Sequence, residues 1–495
     1  ADKHIIKLLK ETGVLFKHET ITHSYPFCER SGTPLIYKAV PAWYVKVEDI
    51  REKMCAQNDT VHWVPEHVGS ARFGNWLKDA RDWNISRSRF WGNPLPIWKC
   101  QNCDHLECLG SKEELEKKSS KKVTDLHNHF IDSLTWSCEK CSSTMKRIPE
   151  VLDCWFESGA MPYAQLHYPF EHKERFEKAF PADFIAEGLD QTRGWFYTLM
   201  ILGTTLFETT PFKNVIVNGL ILAEDGKKMS KSLKNYPDPN KVLEEYGADA
   251  LRLYMINSPV VRAEPLRFSE NGVKEILRMV LIPLWNVYSF FTTYANVDNY
   301  KPSADLTHSE NELDQWIISR FQTLLSGIEK EMTDYKLFAV VPVLLEFLEE
   351  LTNWYVRRSR RRFWSDDLQD KQSGYNTLYY ILTGFSKALA PFLPFITDEI
   401  YQNLSTLDKN SKESVHLTDY PTANKSLQNE KLETAMCLIQ ETVQLGRALR
   451  NSLKLAIRQP LSSITVVTKS AGAKDILSTY ENHIKEELNV KSVLY

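Results

Sequence analysis

Lys227, Lys228, Lys231 and Lys234, with Ser230 and Ser232 among them, place four ammonium groups and two hydroxyls in one short segment, Glu224 to Asn235. Cations on long stems, backed by hydroxyl donors, can neutralise charge that builds on a departing polyphosphate. Taken alone they are equally a solvated basic turn, because exposed lysine is the norm. Their position is set by what precedes them. Val215-Ile216-Val217-Asn218-Gly219-Leu220-Ile221-Leu222 is apolar, rich in β-branched residues and closely followed by Asp225-Gly226, so a buried strand is expected to deliver the loop. In an α/β sheet the ligand crevice lies at the carboxyl ends of the strands.

Two further clusters carry chemistry. Cys100-x-x-Cys103 and Cys138-x-x-Cys141 account for four of the nine cysteines. Two such knuckles can supply a tetrahedral thiolate site, which suits zinc, and a four-cysteine site is closed and structural rather than catalytic. The alternative is two reduced pairs without metal. Arg357-Arg358-Ser359-Arg360-Arg361-Arg362 lies between Trp354-Tyr355 and Phe363-Trp364. Arginines interleaved with aromatics can hold phosphates and stack on unpaired bases, or they can pair with acids such as Glu349, Glu350, Asp366 and Asp367 on a solvated helix face.

The elements that must position these groups follow from length and periodicity. At 495 residues the chain is too long for one core. Apolar content of 43% with 25% charge is that of a globular protein, which excludes disorder as the default. A net charge of -3 requires any nucleic-acid contact to use a local basic patch. The apolar stretch from Gly194 to Phe207 is too short to span a bilayer, so a soluble, cytoplasmic protein with no membrane partner is expected. No heptad seam asks for more than a monomer. Residues 1–60 mix short β-like runs, such as Pro34 to Val40, with turns. Residues 61–270 alternate strand and helix patterns, as an α/β domain does, and residues 97–150 within them carry the cysteines as an insertion. From 271 to 430 the apolar spacing is helical and implies a bundle. Residues 431–495 hold one strand candidate, Ser463 to Val467.

Lys228-Met229-Ser230-Lys231-Ser232 is identical to the KMSKS signature of class I aminoacyl-tRNA synthetases. The stretches Trp83 to Gly92, Asp153 to Gly159, Ala186 to Phe196 and Asn353 to Trp364 resemble the isoleucine-specific family of that class, in its order and spacing. The resemblance implies the second half of a Rossmann-like catalytic domain with a zinc-ribbon-like insertion, then a helical anticodon-binding bundle and a small C-terminal α/β junction segment. It implies an ATP-dependent ligase that activates L-isoleucine and transfers it to tRNA(Ile), with ATP and Mg as substrate and counter-ion and zinc as structural ion. By the same resemblance, Lys228 to Ser232 stabilise the leaving pyrophosphate. Glu187, Gly188, Asp190, Gln191 and Gly219, with Lys231, contact ATP and the adenylate, and Trp155 and Trp195 shape the aliphatic pocket. Arg357, Arg358 and Arg361 face tRNA. Read from the residues alone, Glu187 and Asp190 are equally helix N-terminal charge, and the two tryptophans are core.

The second class I signature, HIGH, is absent. His67-Val68-Gly69-Ser70 looks similar but lies beside Arg72-Phe73-Gly74-Asn75-Trp76, where the family's chain returns from its editing insertion. Residues 1–60 resemble the exit from that insertion, with Glu29 standing where a tryptophan is usual. The expectation is therefore one side of a two-sided active site, inactive unaided. A valine-specific enzyme and a non-catalytic tRNA-binding scaffold are the alternatives.

Overall fold

The apolar run from Val215 to Leu222 forms two strands rather than one. Phe212–Asn218 is the middle strand of a three-stranded parallel sheet, between Ala182–Gly188 and His62–Val64, and Ile221–Leu222 turns away to pair in parallel with Leu266–Arg267. The break falls at Gly219, whose N–H donates to the Val260 carbonyl at 2.7 Å. A Cβ built on Gly219 would stand 1.8 Å from the Glu264 carbonyl oxygen, so only glycine allows the chain to pass.

The computed structural model describes residues 2–28, 31–36, 38–229, 235–303, 305–408 and 410–495. They fall into two compact units, 1–46 with 81–156 and 47–80 with 157–495.

In the first unit a helix, Asp2–Glu11, precedes an irregular stretch. Among the described residues of the β-like run 34–40 there is no strand: a single bridge joins Phe27 to Pro34, and Leu35, Ile36 and Val40 are exposed. Tyr37 and Glu29 lie outside the described residues. The cysteine insertion is a four-stranded antiparallel sheet in the order Leu106–Cys108, Ile97–Cys100, Thr144–Arg147, Trp136–Ser137. Its small core holds Trp98, Leu115, Leu134 and Met145 together with Cys100 and Cys138. The charged stretch Lys112–Ser119 is a helix because Ser111 caps it, accepting from the Glu114 N–H.

In the second unit the helix Trp195–Phe207 connects the parallel strands Ala182–Gly188 and Phe212–Asn218, a βαβ unit. The strand Phe212–Asn218 buries Phe212, Val215, Ile216 and Val217, consecutive residues at its centre being covered on both faces as expected of a central parallel strand. Beyond it comes the bundle: the helical run from Glu270 to Val297, then Glu312–Thr333, the run from Leu337 to Trp364, Leu368–Leu389, Pro394–Ser405 and Glu430–Ser452. They share one core that includes Phe291, Trp316, Phe347, Leu382, Met436 and Ile439. Among the described residues, the run Glu270–Val297, not Gly194–Phe207, is long and apolar enough to cross a membrane by length and composition. Its Val273, Val280, Leu284, Val287 and Phe291 lie in the bundle core. The strand expected at Ser463 to Val467 is Leu461–Thr465, paired in parallel with Val490–Leu494 through two short helices.

Candidate active site and RNA-facing residues

Parallel pairing sets Glu187 beside Val217 and Gly188 beside Asn218, so both strands end at the same edge. The Glu187 side chain is exposed there and makes no hydrogen bond or ion pair among the described residues. Gly188 has close company, since a Cβ on it would come within 2.7 Å of Asp190 Oδ1. Gln191 donates from Nε2 to Asp190 Oδ2 at 3.1 Å, and its Oε1 accepts from the Trp195 N–H at 2.9 Å. Gln191 therefore satisfies the start of the helix Trp195–Phe207, as a cap does. Glu187 sits in the strand and Asp190 in the turn after it, leaving two carboxylates at the carboxyl edge of the sheet with solvent in front of them.

The lysine loop leaves the strand Ile221–Leu222 through a tight turn. Gly226 takes φ +81° with the Arg267 guanidinium against it, and Asp225 accepts from the Lys227 N–H at 3.0 Å. Lys227 Nζ lies 3.3 Å from the Asp225 carboxylate, and these contacts hold Asp225 below the usual carboxylate range, the backbone hydrogen bond first. Lys228 bridges back to Leu222, and its carbonyl accepts from Asn235 Nδ2, while its side chain is exposed. Met229 lines a depression of about 500 Å³ with Tyr236, Tyr246 and Phe268. Ser230, Lys231 and Ser232 lie outside the described residues.

Trp195 is half-buried in the second unit, where its Nε1 donates to the Ser158 carbonyl at 2.8 Å. Trp155 belongs to the first unit and is exposed. Its N–H faces Asp153, a buried carboxylate held by Arg87 at 2.7 Å and by Trp83 Nε1 at 3.3 Å. This Asp153–Arg87 pair anchors the stretch that bears Trp155, and sequence reasoning had not singled it out.

The four cysteine sulfurs converge to within 4.8 Å of one another. Tetrahedral zinc with Zn–S near 2.3 Å needs sulfurs about 3.8 Å apart, and Cys103 to Cys138 is 3.8 Å while Cys100 to Cys141 is 3.4 Å. Backbone N–H groups of Asn102 and Cys103 point at the Cys100 sulfur. The Asn102 N–H above all, against the cost of burial, brings the Cys100 thiol down to about 6, ready as a thiolate. The donor set fits a structural zinc ion.

The arginine run ends the helical stretch from Leu337 to Trp364 and divides by partner. Arg358 is only 5% exposed and is committed to Glu486 at 2.9 Å and Glu487 at 3.3 Å. Arg357 reaches Glu487 at 2.7 Å, and Arg447 joins the same carboxylate. Arg362 is buried between Asp314 and Asp370. Arg360 lies over the Phe290 ring, and Arg361 is exposed with no partner among the described residues. Apart from Asp370, the acids that neutralise the run are distant in sequence, and Glu349, Asp366 and Asp367 make no ion pair with it among the described residues.

Residues 6–267 match the family model for tRNA synthetases class I (I, L, M and V), and residues 314–466 match the anticodon-binding domain of tRNA ligase. The chain belongs to the class I tRNA synthetases. Over its whole length it is similar to isoleucine--tRNA ligases: 52% identical to that of Treponema denticola, covering 46% of the relative, and 53% to that of Bdellovibrio bacteriovorus, covering 47%. The ligase of Protochlamydia amoebophila is 52% identical, again with 47% covered. The chain thus spans about half the length of the curated relatives it matches. A solved LeuRS–tRNA–LeuAMS complex from Agrobacterium radiobacter K84 is similar over 84% of this chain and 52% of its own at 20% identity, with a TM-score of 0.49. Membership gives the sheet its role as part of a class I catalytic domain and the helices theirs as an anticodon-binding bundle.

Proposed function

We propose that the full-length protein is an isoleucine-tRNA ligase that acts on L-isoleucine, ATP and tRNA(Ile). In the first step an isoleucine carboxylate oxygen attacks the α-phosphorus of ATP, the bond to the β,γ-phosphates breaks, and pyrophosphate leaves. In the second, a ribose hydroxyl at the tRNA 3′ end attacks the acyl carbon and AMP leaves. Glu187, Gly188, Asp190, Gln191 and Gly219 line the adenylate at the strand edge, where open carboxylates suit ribose hydroxyls and the substrate ammonium. Trp155 and Trp195 shape the apolar pocket. Lys228, Met229, Ser230, Lys231 and Ser232 carry the loop whose cations match charge developing on the departing pyrophosphate, a contribution made in the transition state. Magnesium, when bound with ATP, shields the phosphates. Zinc on Cys100, Cys103, Cys138 and Cys141 holds the insertion sheet. Arg361, with Arg360, is best able of the run to meet tRNA phosphates; Arg357 can add to it only while sharing Glu487, and Arg358 is enclosed by acids. The protein works as a cytoplasmic monomer.

The observation that carries this reading is identity of 52–53% to isoleucine--tRNA ligases over the entire chain. Pocket physics does not choose isoleucine over valine, since one methylene is worth only about 1–3 kcal/mol. The test is aminoacylation by the full-length protein with tRNA(Ile) and tRNA(Val) transcripts. Isoleucine attached to tRNA(Ile) is the expected product, and valine attached to tRNA(Val) instead would assign the protein to the valine enzymes.

A further inference from the structure

In the first unit, five ring-bearing side chains that belong to none of the sets assigned above gather at the surface. Phe90 is 91% exposed and Trp91 62%. Trp91 stacks on His127 with ring centres 4.4 Å apart and planes 23° from parallel. His129 lies to the side of this pair, 6.1 Å from His127 and 6.3 Å from Trp91 with its plane within 28° of both, and Phe130 packs on His129 at 4.4 Å.

The arrangement is held from beneath. Asp125 accepts from both the His127 N–H and its Nδ1, at 2.8 and 2.6 Å. Asn128 Nδ2 donates to the Phe90 carbonyl at 2.9 Å. Gly92, next to them, takes φ +150°, where a Cβ would press on Val151 at 3.0 Å. Beside the stack, Asn93, Lys112, Asp125 and His127 line a depression of about 370 Å³. Lys112, and nearby in sequence Lys121, Lys122 and Arg89, are exposed without an ion pair among the described residues.

We propose that this stack is a platform for unpaired bases, and that its occupant is the single-stranded 3′ end of tRNA. Scattered exposed apolar residues need no explanation, but a near-parallel ring pair with an exposed indole, beside a lysine in an open depression, is the chemistry that holds single-stranded nucleic acid. A duplex does not offer its base faces. The 3′ end is chosen over the anticodon loop by where the platform is rooted. It lies within the class I match, outside the anticodon-binding match. The strand Ser86–Arg87 leading to it pairs with Val151–Leu152, which runs directly into Asp153 and Trp155. The proposal rests on the tRNA ligase reading above.

The test measures binding of three RNAs to the full chain: a tRNA(Ile) transcript, the same transcript trimmed of its unpaired 3′ nucleotides, and a blunt RNA duplex. The chain is expected to hold the intact transcript about tenfold more tightly than the trimmed one. Trp91→Ala and His129→Ala should abolish that difference, Trp91→Phe should restore most of it, and bound zinc should be unchanged in each. Equal binding of intact and trimmed transcripts by the unsubstituted chain, or an undiminished difference in Trp91→Ala, overturns the platform. Isoleucylation of tRNA(Ile) by the full-length protein reads the ligase assignment separately, so a platform that fails while charging persists leaves that assignment standing.

Discussion

At the scale of single residues, packing explains positions that sequence resemblance could only name. Gly219 stands in the adenylate-contacting set by resemblance, and the structure adds a reason of its own: the Glu264 backbone occupies the place of a side chain. Gly219→Ala is expected to destabilise the chain toward the upper end of the about 1–3 kcal/mol typical of overpacking, read by urea unfolding. A variant as stable as the parent would show that the backbone crossing is not tight. The arginine run separates in the same way. Removing one partner of a buried ion pair costs about 3–5 kcal/mol, so Arg358→Ala should lower the melting temperature. Arg361→Ala should leave melting unchanged and weaken tRNA binding severalfold, with a shallower salt dependence. If both variants melted like the parent and lost tRNA equally, the partition would be wrong. The KMSKS match and the Cys-x-x-Cys knuckles were legible because they are local. Glu487, which neutralises Arg357 and Arg358, was not, because it lies 130 residues from Arg357 and only the fold brings it there.

At the scale of elements, the cysteine sheet and the bundle make separate predictions. The insertion buries few large side chains, so the metal should supply much of its order. Cys138→Ser is expected to lose zinc and expose residues 97–150 to protease while the bundle stays resistant; cleavage no faster than in the parent would contradict a structural ion. In the bundle, Glu350 is buried on the run Leu337–Trp364, facing Arg320 and the carboxylates Glu346 and Glu433. Burial, opposed by Arg320, pushes Glu350 up to about 7 from an ordinary 4.5. The folded state then binds the extra proton, so the stabilisation is full below pH 4.5 and is lost as pH rises through 7. Glu350→Gln should melt like the parent at pH 5 and above it at pH 8, whereas a lower melting point at pH 8 would mean that the Arg320 pair outweighs burial. The helix Glu430–Ser452 was legible in principle: Asn429 caps it, and Leu432, Met436, Ile439 and Val443 keep helical spacing. The break at Gly219 was not, since a β-branched run carries no sign of the backbone that will cross it.

At the scale of the whole molecule, function does not come from overall charge. With a net charge of -3, any RNA affinity has to be built locally, from arginines left over after the bundle's acids are satisfied and from the exposed Trp91 stack with Lys112 beside it. The strand edge with Glu187 and Asp190, and the loop that begins at Lys228, form the chemical centre of the account. The most direct test is amino-acid-dependent ATP–pyrophosphate exchange by the full-length protein, with isoleucine, valine and leucine as substrates and Lys228→Ala alongside. Exchange is expected to prefer isoleucine and to fall roughly 10²–10³-fold in Lys228→Ala, as removal of a transition-state contact does. Exchange that prefers valine or leucine, or none at all from a folded protein that still binds tRNA(Ile), would contradict that expectation.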